Sequence, residues 1–114
     1  MADSSFARSI SAVELEPWPL EPGQVVGGEP QVRGAILDED EQVQRGIWEH
    51  TAGTSRDVEA DEMFVVVDGR ATVAVQDGPT FEVGPGDVGV LRAGDRTTWT
   101  VHETLRKVFQ VTKH

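Results

Sequence analysis

The sequence predicts an all-β fold, either a sandwich or a small barrel, and three observations support this. Short segments rich in β-branched and aromatic residues recur roughly every eight to twelve residues, with turn residues between them. Several of these segments alternate apolar and polar side chains, as half-buried strands do. No stretch of about a dozen residues combines helical periodicity with capping residues. The length of 114 residues suits one domain.

The N-terminal segment differs from the rest, and we predict an extended arm over residues 1–30 before a barrel domain over residues 31–114. Residues 13–30 contain four of the six prolines, which remove backbone donors and oppose helix. Val25 and Val26 are the best strand candidates within the arm, and Trp18 and Leu20 could anchor it on a surface. A partly ordered tail is the alternative interpretation.

The first strands of the domain are predicted from "QVRGAIL" (31–37), "RGIWEHT" (45–51) and "EMFVVV" (62–67). In the third of these, Glu62 shares one face with Phe64 and Val66, because successive strand residues point to opposite faces. Asp68-Gly69 follows, a dipeptide that suits the positive φ angles of a two-residue hairpin. The segment "RATVAVQ" (70–76) is therefore predicted to turn back and pair with residues 62–67.

Turn residues also separate the remaining strand candidates. Asp77-Gly78 is one turn, and Pro85-Gly86 fits the central positions of a type II turn. Gly94 marks another. The strands between and after them are read from "TFEVG" (80–84), "VGVL" (88–91), "TTWTVH" (97–102) and "LRKVFQV" (105–111). We interpret Arg106-Lys107 as solvated charge at the start of the last strand.

The charge balance excludes several classes of partner. Ten basic and twenty acidic residues give a net charge of −10, which argues against nucleic acid and anionic membranes as partners. The chain has no cysteine, so thiolate metal sites and cysteine nucleophiles are excluded. We see neither a signal peptide nor an apolar run of about 20 residues. A cytoplasmic protein is the expectation.

An ordered set of short motifs resembles the cupin superfamily, small RmlC-like barrels of the jelly-roll type. Within it, the sequence is similar to the branch related to ureidoglycine aminohydrolase and the ethanolamine-utilisation cupin. The resemblance covers about residues 31–112 and implies a single-domain jelly-roll β-barrel. The residues that carry it are Gly46-Ile47-Trp48-Glu49, Ala52-Gly53, Glu62, Gly69, Gly86-Asp87, Gly94, Trp99 and Arg106-Lys107.

The same resemblance implies a metal site, which this sequence does not complete. Metal-binding cupins hold one divalent ion with two histidines, a glutamate and a third histidine. Here the glutamate position is Glu62 and the last position is Thr97, whereas the histidine pair falls on Ser55 and Asp57 or on Arg56 and Val58. Imidazole is the usual ligand of the softer metals. We therefore predict no tight metal, with Glu62 and Asp57 as weak candidates for a divalent ion.

Strand alternation predicts that Glu62 faces the barrel interior, where a carboxylate needs a partner. One reading is a ligand in the lumen, with contacts from Glu62, Phe64, Trp99, Trp48, Thr97 and Arg96. The other is an ion pair with an arginine, for which Arg56, Arg92 and Arg96 are the candidates. Trp48 and Trp99 could equally be barrel core.

Three functions follow from these readings. The first is a small-molecule-binding cupin of unresolved activity with a degenerate metal site, whether or not it turns the ligand over. The second is a metal-dependent enzyme for a small polar nitrogen metabolite, with an irregular site around Glu62 that could include His50 or His102. The third is a non-catalytic homodimeric scaffold or regulatory module with a filled barrel. The resemblance implies a homodimer, in which the arm could cross between subunits.

Overall fold

The computed structural model describes residues 4–114, which form one curled antiparallel sheet. The first three residues of the predicted arm, 1–3, lie outside this description. Two short 3-10 helices cover Ile10–Ala12 and Pro22–Gln24. Residues 4–114 contain no helix with the length and apolar character that crossing a membrane requires. The strands are β1 Glu16–Pro17, β2 Val25–Gly27, β3 Val32–Glu39, β4 Val43–His50, β5 Gly53–Val58, β6 Asp61–Val75, β7 Thr80–Val83, β8 Val88–Leu91 and β9 Arg96–Thr112.

The long strands β6 and β9 organise the fold. They pair antiparallel from Asp61 opposite Thr112 to Val75 opposite Thr97, with register shifts between Val66 and Ala71. On its other side, the C-terminal half of β9 pairs with β4, whereas the N-terminal half pairs with β5. The sheet therefore divides into a first sheet, β1-β3-β4-β9-β6-β8, and a second sheet, β2-β5-β9-β6-β7.

The predicted hairpin at Asp68-Gly69 is wrong, because both residues lie within one continuous strand, β6. Gly69 has a φ of 86°, which a hairpin would also use, but here it lies in the irregular stretch where β6 follows the bend of β9. A β-carbon on Gly69 would lie 2.1 Å from the carbonyl oxygen of Thr104. The glycine at this position thus allows β6 and β9 to approach each other closely. The two predicted segments 97–102 and 105–111 are likewise one strand, β9.

The other turn predictions are confirmed. In the Gly84–Asp87 turn, the amide of Asp87 donates to the carbonyl of Gly84 at 3.0 Å, and Gly86 has a φ of 90°. The turn after β6 places Asp77 at a φ of 60°. Gly94 also has a φ of 90° in the turn before β9. These turns fix where β8 and β9 begin.

The core lies between the inner faces of the two sheets. Phe64, Val66 and Leu105 from the first sheet meet Val73 and Trp99 from the second, and all are buried. The predicted alternation in β6 is confirmed, because Glu62, Phe64 and Val66 face inward while Met63 and Val65 are exposed. This alternation places Glu62 in the interior.

The N-terminal segment packs against its own barrel. The predicted strand at Val25 and Val26 is confirmed as β2, which pairs with β5, and β1 pairs with β3. Trp18 donates its amide to the carbonyl of Val32 at 2.9 Å, and its ring lies 6.4 Å from that of Phe109. Gly34 makes room for this ring, because a β-carbon there would lie 2.1 Å from it. Trp18 thus anchors the segment, which is one of the two interpretations that the sequence leaves open.

Candidate functional site

Glu62 forms a buried ion pair, and its partner is Lys107. The ammonium nitrogen of Lys107 donates to Oε2 of Glu62 at 2.7 Å. The side chains are only 6% and 9% exposed, respectively, so water screens this pair little. The predicted arginine partner is wrong, and so is the interpretation of Lys107 as solvated charge. Burying either charge alone would be costly, and pairing the carboxylate with the ammonium offsets that cost.

Three aromatic rings enclose the ammonium of Lys107. Its nitrogen lies 4.4 Å from the ring centre of Trp48, 4.7 Å from Phe64 and 4.6 Å from Trp99. The negative faces of aromatic rings attract a cation at such distances. We call Glu62, Lys107 and these three rings the ammonium cage. The rings also pack on one another, with Trp99 centred 5.4 Å from Trp48 and 5.6 Å from Phe64.

The register of β4 with β9 places the dipeptide Trp48-Glu49 opposite the dipeptide Arg106-Lys107. Trp48 lies opposite Lys107 and Glu49 lies opposite Arg106 in the β4–β9 ladder. Alternation sends Trp48 and Lys107 inward and sends Glu49 and Arg106 to the other face. There, Arg106 donates to Oε2 of Glu49 at 2.7 Å, and Arg33 donates to Oε1 at 2.6 Å. The two dipeptides therefore contact each other in the interior through Trp48 and Lys107, and on the outer face through Glu49 and Arg106.

A second buried carboxylate, Glu59, joins the interior to the barrel end. Thr97 donates its hydroxyl to Oε2 of Glu59 at 2.6 Å, and Trp99 donates its indole N–H to the same oxygen at 3.1 Å. The amide of Gly94 donates to the carbonyl of Glu59 at 2.9 Å. Trp99 thus contacts Glu59 with its edge and Lys107 with its face.

His50 lies beside this group and hydrogen-bonds through both ring nitrogens. Its ring nitrogens lie 2.8 Å from the hydroxyl of Ser55 and 2.6 Å from the carbonyl of Thr51, and the residue is fully buried. Burial lowers the pKa of His50, the hydrogen bond to Thr51 partly offsets this, and the positive charge of Lys107 lowers it further. His50 is therefore a hydrogen-bonded core histidine.

These residues do not fit the metal that the cupin resemblance implies. Within residues 4–114, no three histidine or carboxylate side chains are close enough together to hold an ion. Oε2 of Glu62 already accepts a hydrogen bond from Lys107, and both ring nitrogens of His50 already have partners. His102 lies outside the interior, with Nε2 2.8 Å from the hydroxyl of Thr72. The carboxylate of Glu62 is instead paired with an ammonium.

An open cleft lies at the end of the second sheet, where β5 and β6 end and β9 begins. It has a volume of about 710 Å³. By strand alternation, Asp57 and Thr97 reach it from the inner face, whereas Arg56, Arg96 and Thr98 reach it from the outer face. Gln24 and Val26 line it from β2 and the helix before it, and Ala74 lines it from the end of β6.

Asp57 connects the cleft to the buried charges. The residue is exposed, yet the surrounding walls restrict water around its carboxyl group, and this burial raises its pKa. The negative charge of Glu59 raises it further, and that of Glu62 adds to the effect, while the hydrogen bond from the amide of Val58 and the charge of Lys107 act against it. Ionised Asp57 is thus less favourable in the folded chain than in water.

We expect the Asp57→Asn variant to be more stable than the wild type at neutral pH. Because the folded pKa lies above the ordinary 3.8, the folded chain binds more protons than the unfolded chain, so stability is lost as pH rises through the raised value. The advantage of the variant should shrink to zero as the pH falls below about 3.8. Urea denaturation from pH 3 to 8 measures this.

Asp61→Asn is the matched control and should behave in the opposite way. A hydrogen bond from the amide of Ala93 lowers the pKa of Asp61, and His114 lowers it further. Its contribution to stability is present at neutral pH and lost as the pH falls through the lowered pKa. If the two variants shifted stability in the same direction, the assigned environment of Asp57 would be wrong.

The structure brings most of the predicted site residues together. Glu62, Phe64, Trp48 and Trp99 meet around Lys107, and Thr97 reaches Trp99 through Glu59. Arg96 lies apart from them in the cleft. Lys107 and Glu59 were not predicted. Alternation could have found Lys107, because it shares a strand face with Phe109 and Val111.

Comparison with known proteins supports the resemblance noted above. The model of the EutQ-like cupin domain matches residues 37–109. The chain belongs to the EutQ-like cupin family. No curated protein matches the sequence.

Among solved structures, the EutQ protein of Clostridium difficile covers 93% of this chain and 85% of its own, with 17% identity and a TM-score of 0.73. A DUF861 family protein of unknown function from Pseudomonas syringae covers 89% of this chain and 45% of its own, with 25% identity and a TM-score of 0.73. The polyketide cyclase RemF of Streptomyces resistomycificus covers 96% and 80%, with 20% identity and a TM-score of 0.67. This EutQ-like cupin therefore has the all-β jelly-roll fold that the sequence predicts.

Proposed function

We propose that this EutQ-like cupin binds a small organic molecule in the cleft at the end of the second sheet, and that it does so without a metal ion. The observation that carries the proposal is the cleft itself. Its volume of about 710 Å³ lies in the usual range for metabolite sites. Thr97 and Asp57 line it on the side of the buried Glu59, so the ligand would contact charged and polar groups that the barrel holds in place.

The ammonium cage supports the metal-free part of the proposal. The lumen site predicted beside Glu62 is where Lys107 and three rings lie, so the cleft is the better place for a ligand. Of the predicted ligand-binding residues, Thr97 and Arg96 line the cleft. In this proposal Glu62 and the aromatic residues do not contact the ligand. They hold the ammonium of Lys107 in the interior. The predicted cytoplasmic location also stays a proposal.

Ligand-observed NMR with a library of small polar metabolites tests the proposal. Ala74 lies in the wall of the cleft, so the Ala74→Phe variant should fill it and abolish binding of any hit. Ala93→Phe is the matched control, because Ala93 is exposed and lies outside the cleft. Hits that bind Ala74→Phe as well as the wild type would overturn the cleft as the site.

Elemental analysis of protein purified without affinity resin or chelator tests the metal-free part. We expect no stoichiometric transition metal. Stoichiometric metal that is lost in Glu62→Gln would instead support the metal-dependent enzyme, and the arrangement of Lys107 beside Glu62 would then need a different explanation.

A homodimeric scaffold is a second candidate, and an exposed apolar surface favours it. Met63 and Val65 of β6 lie opposite Val90 and Val88 of the edge strand β8, and all four side chains are exposed. We call these four residues the valine face. A contiguous exposed apolar surface of this kind is typical of an interaction site. A second copy of the chain would cover the valine face and protect the free edge of β8.

Light scattering tests the dimer. We expect the wild type to be a dimer, and Val88→Lys with Val90→Lys to yield a monomer of unchanged fold, because two buried charges would oppose association. Val25→Lys is the control, since Val25 is exposed on β2 in the second sheet. A monomeric wild type would contradict the proposal.

A further inference from the structure

Two arginines that form no ion pair within residues 4–114 line the cleft. Arg56 on β5 lies opposite Thr98 of β9, and Arg96 of β9 lies opposite Val58 of β5. Arg56 and Arg96 are therefore diagonal neighbours on one face, about 7–8 Å apart along the sheet and within reach of one another's long side chains. Both are exposed and both line the cleft. We call them the arginine pair.

The arginine pair differs from most cations of this chain. Six of its ten basic side chains form ion pairs with carboxylates. Within residues 4–114, the four that do not are Arg8, Arg56, Arg92 and Arg96. Two of these four thus lie together in one cleft of a protein whose net charge is −10. Of the other eight basic side chains, six have a carboxylate partner within residues 4–114.

The surroundings of the arginine pair on the outer face of the β5–β9 ladder suit the binding of an anion, because Asp57 lies on the inner face of that ladder. Like charges on neighbouring strands repel, and a bound anion would relieve that repulsion. Guanidinium groups bind carboxylate and phosphate through two parallel hydrogen bonds. Gln24, Gln76 and Thr98 supply further polar groups around the cleft, while Val26 and Val58 supply apolar surface.

We infer that the cleft binds a small organic anion, whose carboxylate or phosphate group is held by Arg56 and Arg96. This inference rests on the proposed function and names the chemical class of its ligand. The charged end of the ligand lies over the arginine pair. Its uncharged part lies against Val26 and Val58.

Isothermal titration with succinate and with inorganic phosphate tests the inference and distinguishes the two kinds of anion. Succinamide, the neutral analogue of succinate, is the control probe. We expect at least one anion to bind, succinamide not to bind, and binding to weaken as salt is raised. Each of Arg56→Gln and Arg96→Gln should lower the affinity about tenfold or more, because each removes charge-assisted hydrogen bonds.

Arg92→Gln is the matched control variant, because Arg92 is exposed and without an acid partner in the described chain but lies outside the cleft. It should leave the affinity unchanged. The inference is overturned if neither anion binds, or if the double variant Arg56→Gln/Arg96→Gln binds them as tightly as the wild type. If neutral molecules bind the double variant but not Ala74→Phe, the inferred anionic class of the ligand is wrong, although the cleft is still the site. If ligands bind Ala74→Phe as tightly as the wild type, the proposed function is overturned instead.

Discussion

Replacing Lys107 with methionine is expected to lower the free energy of unfolding by about 3–5 kcal/mol. The substitution keeps the volume and the apolar stem of the side chain but removes the ammonium. Glu62 would then be an unpaired carboxylate whose side chain is only 9% exposed. Urea denaturation at neutral pH measures the loss.

The double variant Lys107→Met/Glu62→Leu should recover most of that loss. A buried ion pair replaced by apolar residues of similar volume is often neutral or stabilising, whereas a pair broken on one side is not. Lys113→Met is the matched control, because Lys113 pairs with Glu39 at the surface, where such pairs contribute about 0–1 kcal/mol. A double variant no more stable than Lys107→Met would show that the lost stability does not come from the unpaired charge.

The second large effect is expected for Gly69→Ala, which should lower the free energy of unfolding by about 3 kcal/mol or more. Two causes add here. The φ of 86° disfavours any residue with a β-carbon, and that carbon would lie 2.1 Å from the carbonyl oxygen of Thr104. Because backbone of β9 is the obstacle, the strain cannot be relieved by rotating a side chain.

Gly86→Ala separates the two causes. Gly86 has nearly the same conformation, with a φ of 90°, but nothing lies within 4 Å of the added carbon. It should therefore show only the conformational effect, about 1–3 kcal/mol. Thermal and urea denaturation of both variants give the comparison. Equal losses would mean that the approach of β6 to β9 at Gly69 is not tight.

The sequence predicts the fold well where the information is local. Alternation in "EMFVVV" places Glu62, Phe64 and Val66 on the inner face, and the structure confirms this. The Pro85-Gly86 turn is also local, since a fixed proline φ and a glycine at positive φ define it. These features do not depend on which strands come together.

Asp68-Gly69 shows where local information ends. A positive φ at glycine suits a chain reversal and suits an irregularity in a continuing strand. The pairing of β6 with β9 over its whole length decides between them, and β9 lies about 30 residues further along the chain. No property of the dipeptide itself makes this choice.

The ammonium cage shows the same limit in the site. Lys107 and Glu62 are 45 residues apart, so no spacing rule links them. A lysine read alone is assigned to solvent, because lysine is almost never buried without a partner. The inward direction of Lys107 follows from its strand face, but its contact with Glu62 and the three rings follows only from the bend of β6 and β9.

The opposed dipeptides Trp48-Glu49 and Arg106-Lys107 also set the alignment of β4 with β9. If β9 slipped by one residue, every one of its side chains would change face, so the guanidinium of Arg106 would enter the apolar interior while Lys107 left it. Both attractive contacts would be lost in the same step. A charged pair on one side of the ladder and a cation against a ring on the other therefore discriminate between the correct pairing and its nearest competitor, independently of any ligand.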